Sequence, residues 1–174
     1  MRALKKLGAV GAASGILLMS AAVTPASAME EYSVVRNAWS DQCLEVADWR
    51  MDDGAPVRQW PCHGGRNQQW RFIEMANGHT AIQNRNSNKC IDAPGGNYDN
   101  GTQLIQWDCH LRYNQQWLVM YSSEDPQAEI SFWAPPNNQV IEIGAWSQTR
   151  GAAASMWSSN DGLNQKWNTA IVYG

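Results

Sequence analysis

The sequence predicts an all-β fold with pseudo-threefold symmetry, and three observations carry that expectation. One phrase recurs at 67–70, 114–117 and 164–167, reading Asn-Gln-Gln-Trp twice and Asn-Gln-Lys-Trp once. Other positions keep step with it over the 47 and 50 residues between copies. No segment shows the 3.6-residue periodicity of an amphipathic helix, whereas short alternating runs recur in each copy. Self-similarity at a fixed period of this size marks internal duplication.

Counting from the first half-cystine of each copy as zero, the frame starts at Cys43, Cys90 and, without a cysteine, Val140. A carboxylate follows at offset two (Glu45, Asp92, Glu142) and a glycine at offset eleven (Gly54, Gly101, Gly151). A tryptophan stands at offset seventeen (Trp60, Trp107, Trp157), and a second half-cystine or its replacement at nineteen (Cys62, Cys109, Ser159). Asn and Gln close the frame at offsets 24 and 25 and Trp at 27, namely Asn67, Gln68 and Trp70, Asn114, Gln115 and Trp117, and Asn164, Gln165 and Trp167.

Residues 1–28 read as a secretory signal. Arg2, Lys5 and Lys6 supply a positive start, 7–23 is mostly apolar, and Ala26-Ser27-Ala28 fits small-residue cleavage after Ala28. Glycines and serines through that run make it a poor membrane span, so a soluble, secreted protein is expected. Its removal leaves ten basic and sixteen acidic residues, a net charge of −6. That balance argues against a nucleic-acid partner, which needs clustered Lys and Arg. The remaining 29–174 suffices for one domain, with repeats at about 32–79, 80–127 and 128–174.

The elements follow in order. Residues 32–36 form a first strand and 37–41 a polar turn. In 43–46, Leu44 and Val46 face one way and Cys43 and Glu45 the other, the alternation of a half-buried strand. Ile91 and Ala93, then Ile141 and Ile143, repeat it. Asp52-Asp53-Gly54, Pro94-Gly95-Gly96 with Asp99-Asn100-Gly101, and 148–151 are turns. Strands over 57–60, 104–107 and 153–157 follow, and each repeat ends in a strand such as 70–73 or 117–120. Asn77-Gly78 reads as a hairpin turn into 80–83, and Glu124-Asp125-Pro126 as its longer counterpart. About four strands per repeat give about twelve. Three four-stranded blades are too few to close a propeller, and threefold symmetry suits a β-trefoil.

The equal spacing of the two cysteine pairs, in a chain expected to be exported, predicts disulfides Cys43–Cys62 and Cys90–Cys109. Each closes a loop worth about 3 kcal/mol in the chain-entropy model. The third copy is then expected to hold its loop by packing alone.

With its three Gln-x-Trp motifs, Gln68-Gln69-Trp70, Gln115-Gln116-Trp117 and Gln165-Lys166-Trp167, the chain resembles the ricin B-type lectin domains. The resemblance implies carbohydrate binding in up to three repeat-related sites, with galactose-type sugars or polysaccharides such as xylan as ligands. It further implies that Trp60, Trp107 and Trp157 stack on the sugar. Glu45, Asp92 and Glu142 accept from its hydroxyls, with Asn67, Gln68, Asn114, Gln115, Asn164 and Gln165 completing the polar side. The residue chemistry agrees, since a carboxylate is acceptor-only while an amide both donates and accepts. Repeat two fits best. Repeat one has Glu45 for aspartate, and repeat three has Glu142 and lacks the cysteines.

Trp70, Trp117 and Trp167 are expected in the core. Trp49 and Trp146, at offset six where repeat two has Gly96, either pack over the loop or widen the ligand platform. His63 and His110 share an offset and read as loop residues beside the site, and no metal or cofactor is expected. A glycosidase needs two carboxylates about 5 to 9 Å apart, whereas these belong to different lobes. A binding protein rather than an enzyme is therefore expected. Two other roles stay open: a trefoil scaffold that binds or inhibits a secreted partner protein, and a helper acting in trans with a secreted polysaccharide-degrading enzyme.

Overall fold

Twelve strands join in one sheet system in the computed structural model, which describes residues 31–123, 129–135 and 138–172. The expected signal segment and the turn at Glu124-Asp125-Pro126 lie outside those residues. Four strands arise from each repeat. The first gives β1 (Tyr32–Asn37), β2 (Cys43–Val46), β3 (Val57–Trp60) and β4 (Gln69–Glu74). The second gives β5 (Thr80–Asn84), β6 (Cys90–Asp92), β7 (Ile105–Trp107) and β8 (Leu118–Tyr121). The third gives β9 (Ile130–Ala134), β10 (Gln139–Ile143), β11 (Ala154–Ser158) and β12 (Trp167–Val172). Of these, β9 was not anticipated. Helical structure among the described residues is limited to three-residue 3-10 turns.

The outer strands of each repeat close a six-stranded barrel. Antiparallel pairs join β1 to β4, β4 to β5, β8 to β9, β9 to β12 and β12 back to β1. The Thr80–Trp117 bridge closes the gap between β5 and β8. Hairpins β2–β3, β6–β7 and β10–β11 cap one end, tied by the bridges Pro56–Ile105, Arg58–Ala153 and Gln103–Ser155. A six-stranded barrel capped by three hairpins is a β-trefoil.

Equivalent residues meet as layers in the core. Offset one supplies Leu44, Ile91 and Ile141, and offset three supplies Val46, Ala93 and Ile143, all fully buried. Trp70, Trp117 and Trp167 are likewise fully buried, as expected. Trp70 and Trp167 each donate their indole N–H to a carbonyl, of Leu44 at 3.0 Å and Ile141 at 3.2 Å, whereas Trp117 Nε1 has no partner.

Two expectations need correction. β2 is not half-buried, because all four residues are inaccessible, Glu45 included. The amides of Asn67 and Gln68 cover the side that would otherwise meet solvent. The third repeat's loop is not held by packing alone either. Ser159 N–H donates to the Asn138 carbonyl at 3.1 Å, and β10–β11 pair over five residues where β6–β7 pair over three. A longer ladder thus stands where the other repeats have their disulfides. Those two form as the spacing predicted, Cys43–Cys62 and Cys90–Cys109.

Candidate functional site

The site residues of each repeat converge because β2, β6 and β10 present the carboxylate at the point where the 3-10 turn before the final strand delivers Asn and Gln. In repeat two, Asn114 Nδ2 lies 2.9 Å from both oxygens of Asp92, and Gln115 Nε2 donates to Asp92 Oδ2 at 2.9 Å. Gln115 Nε2 also donates to the Asp108 carbonyl, and Gln115 Oε1 accepts from His110 N–H. The glutamine therefore ties the turn to the half-cystine loop. His110 Nε2 stands 3.4 Å from Asp92 Oδ2. These contacts crowd Oδ2 and leave Oδ1 with one donor and room for a ligand hydroxyl.

A cleft of about 340 Å³ opens above this carboxylate, bounded by Trp107, His110, Arg112, Tyr113 and the Pro94–Gly96 turn. Trp107 is 42% exposed, so one indole face is available. Its ring packs on the neighbouring repeat: a β-carbon at Gly54 would lie 4.0 Å from Trp107 Cζ3. The same cyclic contact joins Trp157 to Gly101 and Trp60 to Gly151. All three glycines have φ between +81° and +87°, which only glycine adopts without strain, hence the repeated glycine at offset eleven.

Burial raises the Asp92 carboxyl above the ordinary aspartate range, opposed by the Gln115 and Asn114 donors. Burial raises Glu142 in the same way. A raised pKa means that the proton returns at higher pH than for a free carboxylate, and a protonated carboxyl loses acceptor capacity. Ligand affinity at these positions is therefore expected to fall on acidification, starting above the usual carboxylate range. A binding titration from neutral to acidic pH checks this, and a flat profile into that range would contradict it. The linked stability term has the opposite sense: a carboxyl with raised folded pKa costs stability as pH rises through that pKa.

Repeat three reproduces the cradle. Asn164 and Gln165 donate to Glu142 Oε2 at 3.1 and 3.2 Å, leaving Oε1 without a hydrogen-bond partner among the described residues. Trp157 is 39% exposed.

Repeat one brings its expected residues together but fills the space between them. Asn67 and Gln68 donate to Glu45 Oε2, with His63 Nε2 at 3.4 Å, as in repeat two. Arg58, directly across the β2–β3 ladder from Glu45, takes the other oxygen with Nε at 3.0 Å and Nη2 at 2.9 Å. Its guanidinium also pairs with Asp48 and lies 4.3 Å from the centroid of the Trp60 ring. The face and the acceptor assigned to a ligand are therefore both engaged by one arginine. At offset fifteen, where Arg58 stands, the other repeats have Ile105 and Ser155.

Supporting residues were not anticipated. Asn84 donates to the Asn67 carbonyl and Asn37 to the Asn164 carbonyl, both at 3.0 Å, bracing the site asparagines from the next repeat. Gln59 and Gln106, buried at offset sixteen, each donate to two carbonyls of a neighbouring loop. Shared offsets were the available signal for both pairs.

Trp49 and Trp146, at offset six, pack over the loop and keep part of each ring exposed. Each packs against a glycine at offset 22, Gly65 or Gly162, and stays about half-exposed, Trp49 also stacking on His63. In repeat two the relation is reversed, with Tyr113 reaching back over Gly96. Tyr98 donates its hydroxyl to the Tyr113 carbonyl, and burial pushes that phenol up to about 12.

Known proteins share this fold and part of this residue frame. Residues 23–107 match the family model described as ricin-type β-trefoil lectin domain-like. The fold is a β-trefoil, and the matched stretch makes the chain similar to the ricin-type lectin domains. ThreeFoil, a designed threefold-symmetric protein, superposes with a TM-score of 0.75 at 27% identity, over 80% of this chain and 97% of its own. The exo-β-1,3-galactanase 1,3Gal43A from Clostridium thermocellum gives 0.76 at 26% identity, over 84% of this chain and 31% of the enzyme. The chain thus spans under a third of that enzyme's length. A ricin B-like lectin from Macrolepiota procera, solved with lactose, shares the fold with a TM-score of 0.68 at 18% identity, over 84% of this chain and 98% of its own.

Proposed function

We propose that the protein is a secreted, non-catalytic carbohydrate-binding protein that engages galactose-type polysaccharides or xylan through repeat-related shallow sites, foremost those of repeats two and three. The observation that carries this reading is the Asp92 acceptor in an open cleft beside the exposed face of Trp107. A sugar ring combines an apolar C–H face with a rim of hydroxyls, and this pair meets both. The ricin-type match supports the class, and the galactanase and the lactose-bound lectin among the structural relatives support galactose-type sugars.

Single shallow sites bind at about millimolar Kd, near −4 kcal/mol. Two sites on one polymer can strengthen apparent binding by roughly 10²–10⁴. A polymer or dense glycan is therefore the better ligand.

Titration against soluble galactans, arabinans and xylans, followed by tryptophan fluorescence, tests the proposal. Asp92→Ala and Trp107→Ala are each expected to weaken binding about tenfold or more, equivalent to about 1.4 kcal/mol. Binding of no polymer in the panel would overturn the reading, and a search for a secreted protein partner would follow.

A further inference from the structure

Residues at offsets five and six take left-handed backbone in every repeat. Repeat two uses Gly95 and Gly96, at φ 64° and 70°, for which the conformation is unstrained. Repeat three instead has Ala145 and Trp146, both at φ 53°. A large side chain in this region is sterically disfavoured, and such residues concentrate at ligand-binding positions. Trp146 adds a solvation cost, being 44% exposed.

A second tryptophan meets it from another repeat. Trp39, in the loop after β1, packs edge-on against Trp146 with centroids 5.2 Å apart and planes at 86°. Its Nε1–H donates to the Trp146 carbonyl at 2.9 Å. That anchor does not itself require tryptophan, because Asn86, at the equivalent position in repeat two, donates to the Trp49 carbonyl at 3.3 Å. What the indole adds is apolar surface, and Trp39 remains 39% exposed. The two rings thus form an open aromatic corner.

This corner adjoins the candidate sugar position. A β-carbon at Gly162 would lie 2.6 Å from both Trp146 Cζ2 and Asn164 Oδ1, so these two atoms are no more than about 5 Å apart. Asn164 is the residue that holds Glu142. The nearby charges of Lys166 and Asp161 neutralise one another at 3.0 Å, which leaves recognition to apolar and hydroxyl-directed contacts.

We propose that Trp39 and Trp146 form a second sugar-binding position beside Glu142 and Trp157, so that repeat three takes a neutral oligosaccharide of at least two units. The inference rests on the carbohydrate-binding reading and extends it. One unit stacks on Trp157 with its hydroxyls at Glu142 Oε1, and the adjoining unit lies in the corner between the two indoles.

The test uses the whole protein carrying Asp92→Ala, which silences repeat two. Its probes are β-1,3-linked galacto-oligosaccharides and xylo-oligosaccharides of one to four units. Affinity is expected to rise about tenfold or more between one and three units. Adding Trp39→Asn, the residue of repeat two, should cut that gain to under about threefold. Trp146→Gly serves as a second variant, and the indole N–H resonance of Trp39 should shift with the trisaccharide. An undiminished length gain in Trp39→Asn, with no shift of that resonance, overturns the inference. If the Asp92→Ala protein binds neither series while the unmodified protein does, repeat three takes no sugar, and this inference falls while the lectin reading stands. If the unmodified protein binds neither these oligosaccharides nor any polymer of the panel, both fall.

Discussion

Replacing Trp167 by alanine is expected to cost about 3–5 kcal/mol of folding stability, the range for emptying a fully buried aromatic position. The ring is inaccessible, packs beside Phe132 with centroids 6.3 Å apart, and donates its N–H to the Ile141 carbonyl. Because all three terminal tryptophans share one core, the loss should appear as a single cooperative shift in urea or thermal unfolding. In a domain of this size it corresponds to roughly 10 °C or more in Tm. Phenylalanine substitutions refine the expectation. Trp70→Phe and Trp167→Phe orphan a buried carbonyl, whereas Trp117→Phe removes an indole N–H that has no partner. An unpaired buried donor costs about 1–3 kcal/mol, so Trp117→Phe should be the mildest of the three. A ranking that made it the most damaging would contradict this account of the core.

The features that repeat were legible in the sequence, because duplication prints the same physical demand three times. A tryptophan at offset 27 and apolar residues at offsets one and three specify one core layer after another. The glycine at offset eleven marks a left-handed turn and the paired cysteines a loop closure. The carboxylate, Asn and Gln converge as the family resemblance implied, since the same 3-10 turn delivers both amides in every repeat. What was not legible depends on contacts between repeats or on departures from the frame. Trp39 acquires meaning only when repeats one and three meet, because its partner Trp146 lies 107 residues away. Tyr113 and Trp49 fill comparable space from opposite sides of the loop, and no offset relates them. Arg58 stands at a position where the other repeats have isoleucine and serine, so the frame itself conceals it.

That arginine gives the second large expected effect, a gain of binding. Arg58→Ile installs the residue of repeat two and should uncover both the Glu45 acceptor and the Trp60 face, converting repeat one into an open site. Removing one partner of a buried ion pair commonly costs about 3–5 kcal/mol because a charge is stranded. Here the stranded charge is Glu45, 2% exposed, but Asn67 and Gln68 already donate to it. Repeats two and three hold their carboxylates with the same amides and no arginine, so the expected cost is smaller, about 1–3 kcal/mol. The cation–π contact with Trp60, of order 0.5–2 kcal/mol, is lost as well. Against that, a further linked site on one polymer should raise apparent affinity by about tenfold or more. Calorimetric titration of Arg58→Ile, with and without Asp92→Ala, reads stoichiometry and affinity together. Bound sugar that persists in the double variant and disappears when Glu45→Ala is added would assign the new site to repeat one. A folded Arg58→Ile protein with unchanged stoichiometry would mean that Arg58 is not what closes this site.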